Sequence, residues 1–169
     1  PNIKNLIAQQ RHPNWDENRD YSLPWQSGMT GIAYNDKLTE PVLSIDDLLS
    51  NPKLKGKVGL LSEFADTISL VMLSNGDDPA KVTDASFNRA INKIKKAVDS
   101  GQVRQFYGND YSGALAKGDL AATMAWSGDI VQLQLDNKHL KWNLPKDGGD
   151  IWTDNMLIPK GGNVYTASV

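Results

Sequence analysis

The 169-residue sequence contains no cysteine, which excludes disulfides, thiolate metal sites and cysteine nucleophiles but leaves the redox compartment open. Its only two histidines, His12 and His139, stand in separate polar contexts, and this does not favour a histidine-dependent catalytic triad. No run of about 18 apolar residues occurs, so no membrane-spanning helix is predicted. Lys and Arg number 18 against 20 Asp and Glu. This balance gives no electrostatic reason to bind nucleic acid.

Motifs for nucleotide, nucleophile and calcium sites are also missing. Gly-x-Gly-x-x-Gly and Gly-x-Ser-x-Gly do not occur, and Lys57 after Gly56 lacks the upstream glycine of a phosphate-binding loop. Residues 147–150, Asp-Gly-Gly-Asp, lack the alternating carboxylates of a calcium loop and predict a turn. We therefore predict no cofactor and no enzymatic activity.

Strand and helix signals alternate along the chain. Apolar residues recur at spacings of four, three and four from Phe87 to Val98, which predicts one face of a helix over about 84–100. Two short extended segments, 21–25 and 29–34, are predicted around Gln-Ser-Gly. Further strands are predicted at 57–61, 103–107, 120–126 and 139–144, and further helices at 65–74, 111–117 and 129–135. The fold predicted is an α/β lobe with a mainly parallel sheet flanked by helices.

An aromatic residue and a carboxylate alternate in the last extended segment, 151–158. Trp152 and Asp154 are at i and i+2 and share one face if the segment is a strand. A carboxylate beside an indole suits a positively charged amine, through charge, hydrogen bonding and cation–π attraction. The alternative is that Trp152 belongs to the core and Asp154 to a turn.

Other candidates follow predicted strands, at the sheet edge where ligands bind in such folds. Trp126 ends one strand, although it is equally compatible with a core position. Ser127 and Asp129 are predicted to cap the next helix. Glu63 and Asp66 follow the strand ending near Leu61, and an exposed acidic loop is as good an explanation of them as a ligand role.

Several segments together resemble the extracytoplasmic spermidine/putrescine-binding proteins of bacterial ABC transporters. The most specific are Trp-Ser-Gly-Asp at 126–129 and the segment 149–159, with Trp-x-Asp followed by Ile-Pro. Leu-Pro-Trp at 23–25, Gly-Ile-Ala-Tyr-Asn at 31–35 and Ile-Asp-Asp-Leu at 45–48 fit the same order. The resemblance extends over nearly the whole chain.

The resemblance implies a type II periplasmic-binding-protein fold, in which two α/β lobes close on a ligand. Residues 1–169 would be a single lobe, the second, with inter-lobe linker segments within 1–30, and the first lobe would be missing. The chain begins with Pro1, and 163–169 has the composition of the first turns of a further element. We therefore expect an excerpt of a longer protein. Its location would be extracytoplasmic, either the periplasm or, as a lipoprotein, the surface of a Gram-positive cell.

The resemblance also assigns roles to individual residues. Trp126 would pack on the polyamine chain, Trp152 and Asp154 would form a ring and carboxylate pair, and Asp154 would take the charged amine. The ligand would pass to a membrane permease. Relatives often carry two acids at the positions of Phe64 and Thr67, whereas this chain carries its acids one residue earlier, at Glu63 and Asp66. Ser27 stands where some relatives have an aromatic residue.

Three alternatives remain open at this point. The same fold would bind another small cationic solute or a metal complex. A hydrolase or transferase domain would use Asp154 with Glu63 or Asp66 as a carboxylate pair. A purely structural interaction module would lose stability, but no small-molecule binding, when Trp126 or Trp152 is replaced by Ala.

Overall fold

The computed structural model describes residues 2–163 and 165, and most of the predicted further element at 163–169 lies outside them. Two short 3-10 turns, Asn2–Asn5 and Ala8–Gln10, come first, and a third, Pro52–Leu54, follows the first helix. The helices are α1 (Ile45–Ser50), α2 (Phe64–Ser74), α3 (Asp84–Asp99), α4 (Tyr111–Lys117) and α5 (Ser127–Asp136). The strands are β1 (Leu23–Asn35), β2 (Val58–Leu61), β3 (Val103–Tyr107), β4 (Ala122–Trp126), β5 (Leu140–Asn143) and β6 (Asp150–Met156).

The strands form one six-stranded sheet in the order β3-β2-β4-β1-β5, with β6 also paired to β1. β2 is parallel to both β3 and β4, whereas β1 is antiparallel to both β4 and β5. The predicted α/β fold is confirmed. Its sheet is mixed rather than mainly parallel, because β1 runs against both of these neighbours.

β1 is a single strand of 13 residues, so the prediction of two short segments, 21–25 and 29–34, is wrong. The Gln-Ser-Gly segment between them stays extended because β6 holds it. Gln26 Nε2 donates to Asp154 Oδ2 at 3.0 Å, and the hydroxyls of Ser27 and Thr153 lie 2.7 Å apart.

Helices cover the sheet in two groups. α1, α2 and α3 contact one another, and α4 contacts α5. The parallel connections β2–β3 and β3–β4 run in opposite directions along the sheet. Because such crossovers are right-handed, α2 and α3 lie on one face and α4 lies on the other.

Capping hydrogen bonds explain where two helices begin. Ser44 accepts the Asp47 N–H at 3.0 Å, and Asp147 accepts the Ile45 N–H at 3.1 Å. Asp147 thereby ties its turn to the start of α1. At α3, Thr83 and Ser86 form a reciprocal capping box.

The predicted apolar face of α3 packs on the core except at its last residue. Ile94 is buried and Phe87 and Ile91 pack partly against the core, whereas Val98 is 41% exposed. Ala90 and Ala97 are buried as well. Their small side chains let the helix backbone approach the core closely, which apolar spacing alone does not reveal.

The core lies between the sheet and its helices and requires a glycine at position 59 of β2. A Cβ at Gly59 would lie 2.6 Å from Thr123 Oγ1 and 2.9 Å from Leu120 Cδ1, both in fully buried residues. Two neighbouring side chains therefore fill the space that any larger residue would need.

The chain divides into two compact units. The larger unit runs from Gly28 to Ile151, and the smaller contains the residues up to Ser27 together with those from Trp152 onward. The prediction of a single lobe with linker segments within 1–30 stays a prediction. Within the described residues, no helix combines the length and the apolarity needed to cross a membrane.

Two buried charged residues organise the smaller unit. Asp16 accepts the backbone N–H groups of residues 20–22 and the Ser22 hydroxyl, and the bond from that hydroxyl is the main cause of the lowered pKa of Asp16. Arg19, at φ 56°, donates to the carbonyl of Gln10, to Ser22 Oγ and to Asn155 Oδ1. Arg19 thus joins the amino-terminal segment to β6.

We expect Gly59→Ala to destabilise the fold by about 1–3 kcal/mol, because the added methyl overpacks the β2–β4 region. Urea denaturation of the variant and the native chain measures the change. Gly113→Ala in α4 is the matched control, since a Cβ there meets nothing within 4 Å. Equal loss in both variants would contradict the packing explanation.

Candidate functional site

Trp126 lies at the junction of β4 and α5, with no residue between the two elements. Its side chain is half-buried, and its indole Nε1 donates to Asp66 Oδ2 at 2.6 Å. The structure therefore brings together two of the residues that the sequence singles out. An indole and a carboxylate meet just beyond the end of a strand, as the fold class predicts.

Asp66 is a buried carboxylate in the first turn of α2, where the helix dipole favours negative charge. It accepts a second hydrogen bond from Thr30 Oγ1, at 3.1 Å, which links it to β1. Both donors reach the same oxygen, Oδ2. Neither of these two donors occupies the other oxygen, Oδ1.

Asp150, the first residue of β6, places a second carboxyl beside Asp66. Burial raises the pKa of Asp150, and the charge of Asp66 and a hydrogen bond with it raise the pKa further. Sequence reasoning assigned Asp150 to a turn and did not consider Thr30. Two features of the sequence could have indicated them: for Asp150, an acid just before Trp-x-Asp, and for Thr30, a polar residue inside a strand.

Tyr111, the first residue of α4, positions Trp126 through a hydrogen bond and a ring contact. Its fully buried hydroxyl donates to Asp129 Oδ2 at 2.7 Å and accepts the Trp126 backbone N–H at 3.1 Å. The two rings meet edge to face, with centroids 5.8 Å apart. Burial, and then the bond to Asp129, raise the pKa of Tyr111, which keeps its proton on the donor oxygen.

The predicted capping roles of Ser127 and Asp129 are wrong for the side chains. Ser127 Oγ accepts the Met29 N–H of β1 at 3.2 Å, and Asp129 is engaged by Tyr111. Asp129 still lies in the first turn of α5, where its charge suits the helix dipole.

Trp152 and Asp154 belong to the smaller unit, on β6, and strand alternation places them on one face. Asp154 is exposed and accepts the hydrogen bond from Gln26. Trp152 is half-buried, and its Nε1 is buried without a hydrogen-bond acceptor among the described residues. An indole N–H in this state costs free energy until an acceptor reaches it.

Glu63 is exposed and immediately precedes α2. Within the described part of the chain its side chain makes no hydrogen bond or ion pair. The ligand roles of Glu63, Asp66, Trp126, Trp152 and Asp154 stay predictions. Among residues 2–163 and 165, no three His, Cys, Asp or Glu side chains come together as a metal site.

We expect Tyr111→Phe to lower the free energy of unfolding by about 1–3 kcal/mol, because Asp129 and the Trp126 N–H both lose a buried partner. Thermal or urea denaturation measures this loss, and the indole N–H signal of Trp126 in NMR spectra reports on the ring. Tyr21→Phe is the matched control, since Tyr21 is 79% exposed. A change as small as that of the control would show that the hydroxyl contributes nothing.

Comparison with known proteins identifies the family. Residues 2–165 match the model of the bacterial extracellular solute-binding proteins. The spermidine/putrescine-binding periplasmic protein 1 of Haemophilus influenzae is 26% identical over 161 residues, covering 94% of this chain and 44% of its own length. This chain therefore spans less than half of that relative.

Solved structures share the fold. One from Listeria monocytogenes superposes with a TM-score of 0.90 at 25% identity, covering 99% of this chain and 52% of its own. The spermidine/putrescine ABC transporter substrate-binding protein of Streptococcus pneumoniae superposes with a TM-score of 0.78 at 22% identity, over 96% of this chain and 50% of its own. The predicted likeness to one lobe of a two-lobe binding protein is confirmed, and the chain belongs to the family of bacterial extracellular solute-binding proteins.

Proposed function

We propose that this chain is one lobe of a two-lobe receptor that binds a polyamine, spermidine or putrescine, and delivers it to an ABC permease. The observation that carries the proposal is the half-buried Trp126 indole held on the carboxylate of Asp66. The family and the named ligands of the relatives support it. The relatives are about twice as long, which accords with a missing first lobe.

The chemistry of these groups suits an alkyl ammonium ion. A carboxylate supplies charge and hydrogen-bond acceptors, while an indole face covers methylene groups and attracts the cation. Each cation–π contact contributes about 0.5–2 kcal/mol. Trp152 and Asp154 offer the same combination of an indole and a carboxylate on β6.

Binding would proceed by closure of the two lobes, with no bond made or broken. The ligand stabilises the closed state through contacts with both lobes. Closure also removes water from the ammonium and the carboxylates, which costs free energy unless several paired contacts form. An extracytoplasmic location, in the periplasm or on a lipid anchor, belongs to this proposal.

A different small cation is the second candidate, and one observation favours it. Thr67 is one of the two positions at which the resemblance leads us to expect an acid, but it is buried and its hydroxyl donates to the Leu61 carbonyl at 2.7 Å. Phe64, at the other such position, is 62% exposed and contacts Phe87. The acids available to a ligand therefore lie at positions other than those that the resemblance implies.

We expect Asp154→Asn to weaken spermidine or putrescine binding by about tenfold to a hundredfold, because a charge-assisted hydrogen bond contributes about 1.5–3 kcal/mol. Isothermal titration calorimetry of the two-lobe protein measures it. Asp20→Asn, on an exposed residue of the same unit, is the control. If the folded native protein gives no heat with either polyamine, the polyamine assignment is wrong and a wider set of cations should be screened.

The 169-residue chain by itself should bind polyamine weakly, because half of the paired contacts that offset desolvation are absent. Titration of the isolated chain, monitored by tryptophan fluorescence, is expected to give a Kd weaker than micromolar. A micromolar or tighter Kd would show that a single lobe suffices.

A further inference from the structure

The pairing of the Asp66 carboxyl group with that of Asp150 is the strongest feature that the proposed function leaves unexplained. Asp66 comes from α2 and Asp150 from the first position of β6, 84 positions later in the sequence. Both lie in the larger unit. Like charges at close range are unfavourable, so a pair of this kind needs a proton or a cation to hold it together.

Backbone packing brings the pair together. A Cβ at Gly149, the residue before Asp150, would lie 3.1 Å from the Thr30 carbonyl oxygen, so this segment runs directly against β1. The hydroxyl of the same Thr30 donates to Asp66. β1 is thus the common support of both acids. Since Trp126 and Thr30 both use Oδ2 of Asp66, Oδ1 is the oxygen available to Asp150 or to a ligand.

We propose that Asp150 and Asp66 together hold one primary ammonium group of the ligand. This inference rests on the proposed function and assigns Asp150 as a specificity-determining residue. A primary ammonium has three N–H donors, which suffice for both carboxyls. A quaternary ammonium has none, and an amino acid brings a carboxylate that the pair repels.

In the free protein, we expect Asp150 to be the acid that carries a proton. Burial, and then Asp66, raise the pKa of Asp150, so its carboxyl holds a proton at pH values above the ordinary carboxyl range of about 4. Asp66 is the titratable group that faces it. Thr30 on β1 and Trp126 on β4 supply groups that do not titrate. An arriving ammonium favours the charged carboxylate and lowers this pKa, so affinity should rise with pH until Asp150 is ionised in the free protein.

Calorimetric titration of the two-lobe protein with putrescine, at several pH values between about 4.5 and 8, tests the proposal. Two buffers of different ionisation enthalpy report proton release. The native protein should release a proton and bind more tightly as the pH rises. Asp150→Asn should bind about tenfold more weakly, release no proton and show a flat pH profile. It should also discriminate less against putrescine methylated to a quaternary ammonium at both ends.

Asp136→Asn is the control, because this exposed residue ends α5 at the end remote from Trp126. The indole N–H signal of Trp126 in NMR spectra checks that each variant is folded. Putrescine binding by Asp150→Asn with native affinity and a native pH profile would overturn this inference alone. Failure of the native protein to bind either putrescine or spermidine would contradict the proposed function and this inference with it.

A second measurement needs no ligand. The carboxyl carbon of Asp150 can be titrated by NMR in the native chain and in Asp66→Asn. The pKa of Asp150 should be raised in the native chain and should fall towards the ordinary range in the variant, since one source of repulsion is gone. An ordinary pKa of Asp150 in the native chain would contradict the close approach of the two carboxyl groups.

Discussion

The hydrogen bond between the Trp126 indole and the Asp66 carboxylate joins elements that are far apart in sequence. Asp66 comes from α2, Trp126 from the end of β4, and Thr30 of β1 completes the contact. A carboxylate buried in this way is stable only while its donors stay in place. The position of Trp126 depends in turn on Tyr111. The Tyr111 hydroxyl accepts the Trp126 backbone N–H and donates to Asp129.

The sheet explains why these donors converge. β1 runs antiparallel to both β4 and β5, and its length lets one strand support the Trp126 side of the site and also pair with β6. The close approach of Trp142 to β1 needs Gly31, whose Cβ would lie 2.7 Å from the Trp142 ring. The packing of the sheet and the position of the candidate site therefore depend on the same strand.

Local signals were enough to predict most helices and strands and to select Trp126 and Asp66, because both residues follow buried strands. The same signals missed Asp150 and Thr30. Their juxtaposition depends on packing between segments more than a hundred residues apart, and no local pattern encodes it. The continuity of β1 was missed for a related reason: Gln26 and Ser27 stay extended only because β6 supplies their partners.

Under the proposed function, the direct passage from β4 into α5 would have a consequence for how binding preference changes during evolution. Trp126 ends the strand and precedes the helix with no loop residue to absorb movement, so its backbone cannot shift without displacing both elements. A lineage that adapts to a longer or shorter solute would keep this wall and vary the exposed positions around it. Phe64, at the exposed start of α2, is such a position.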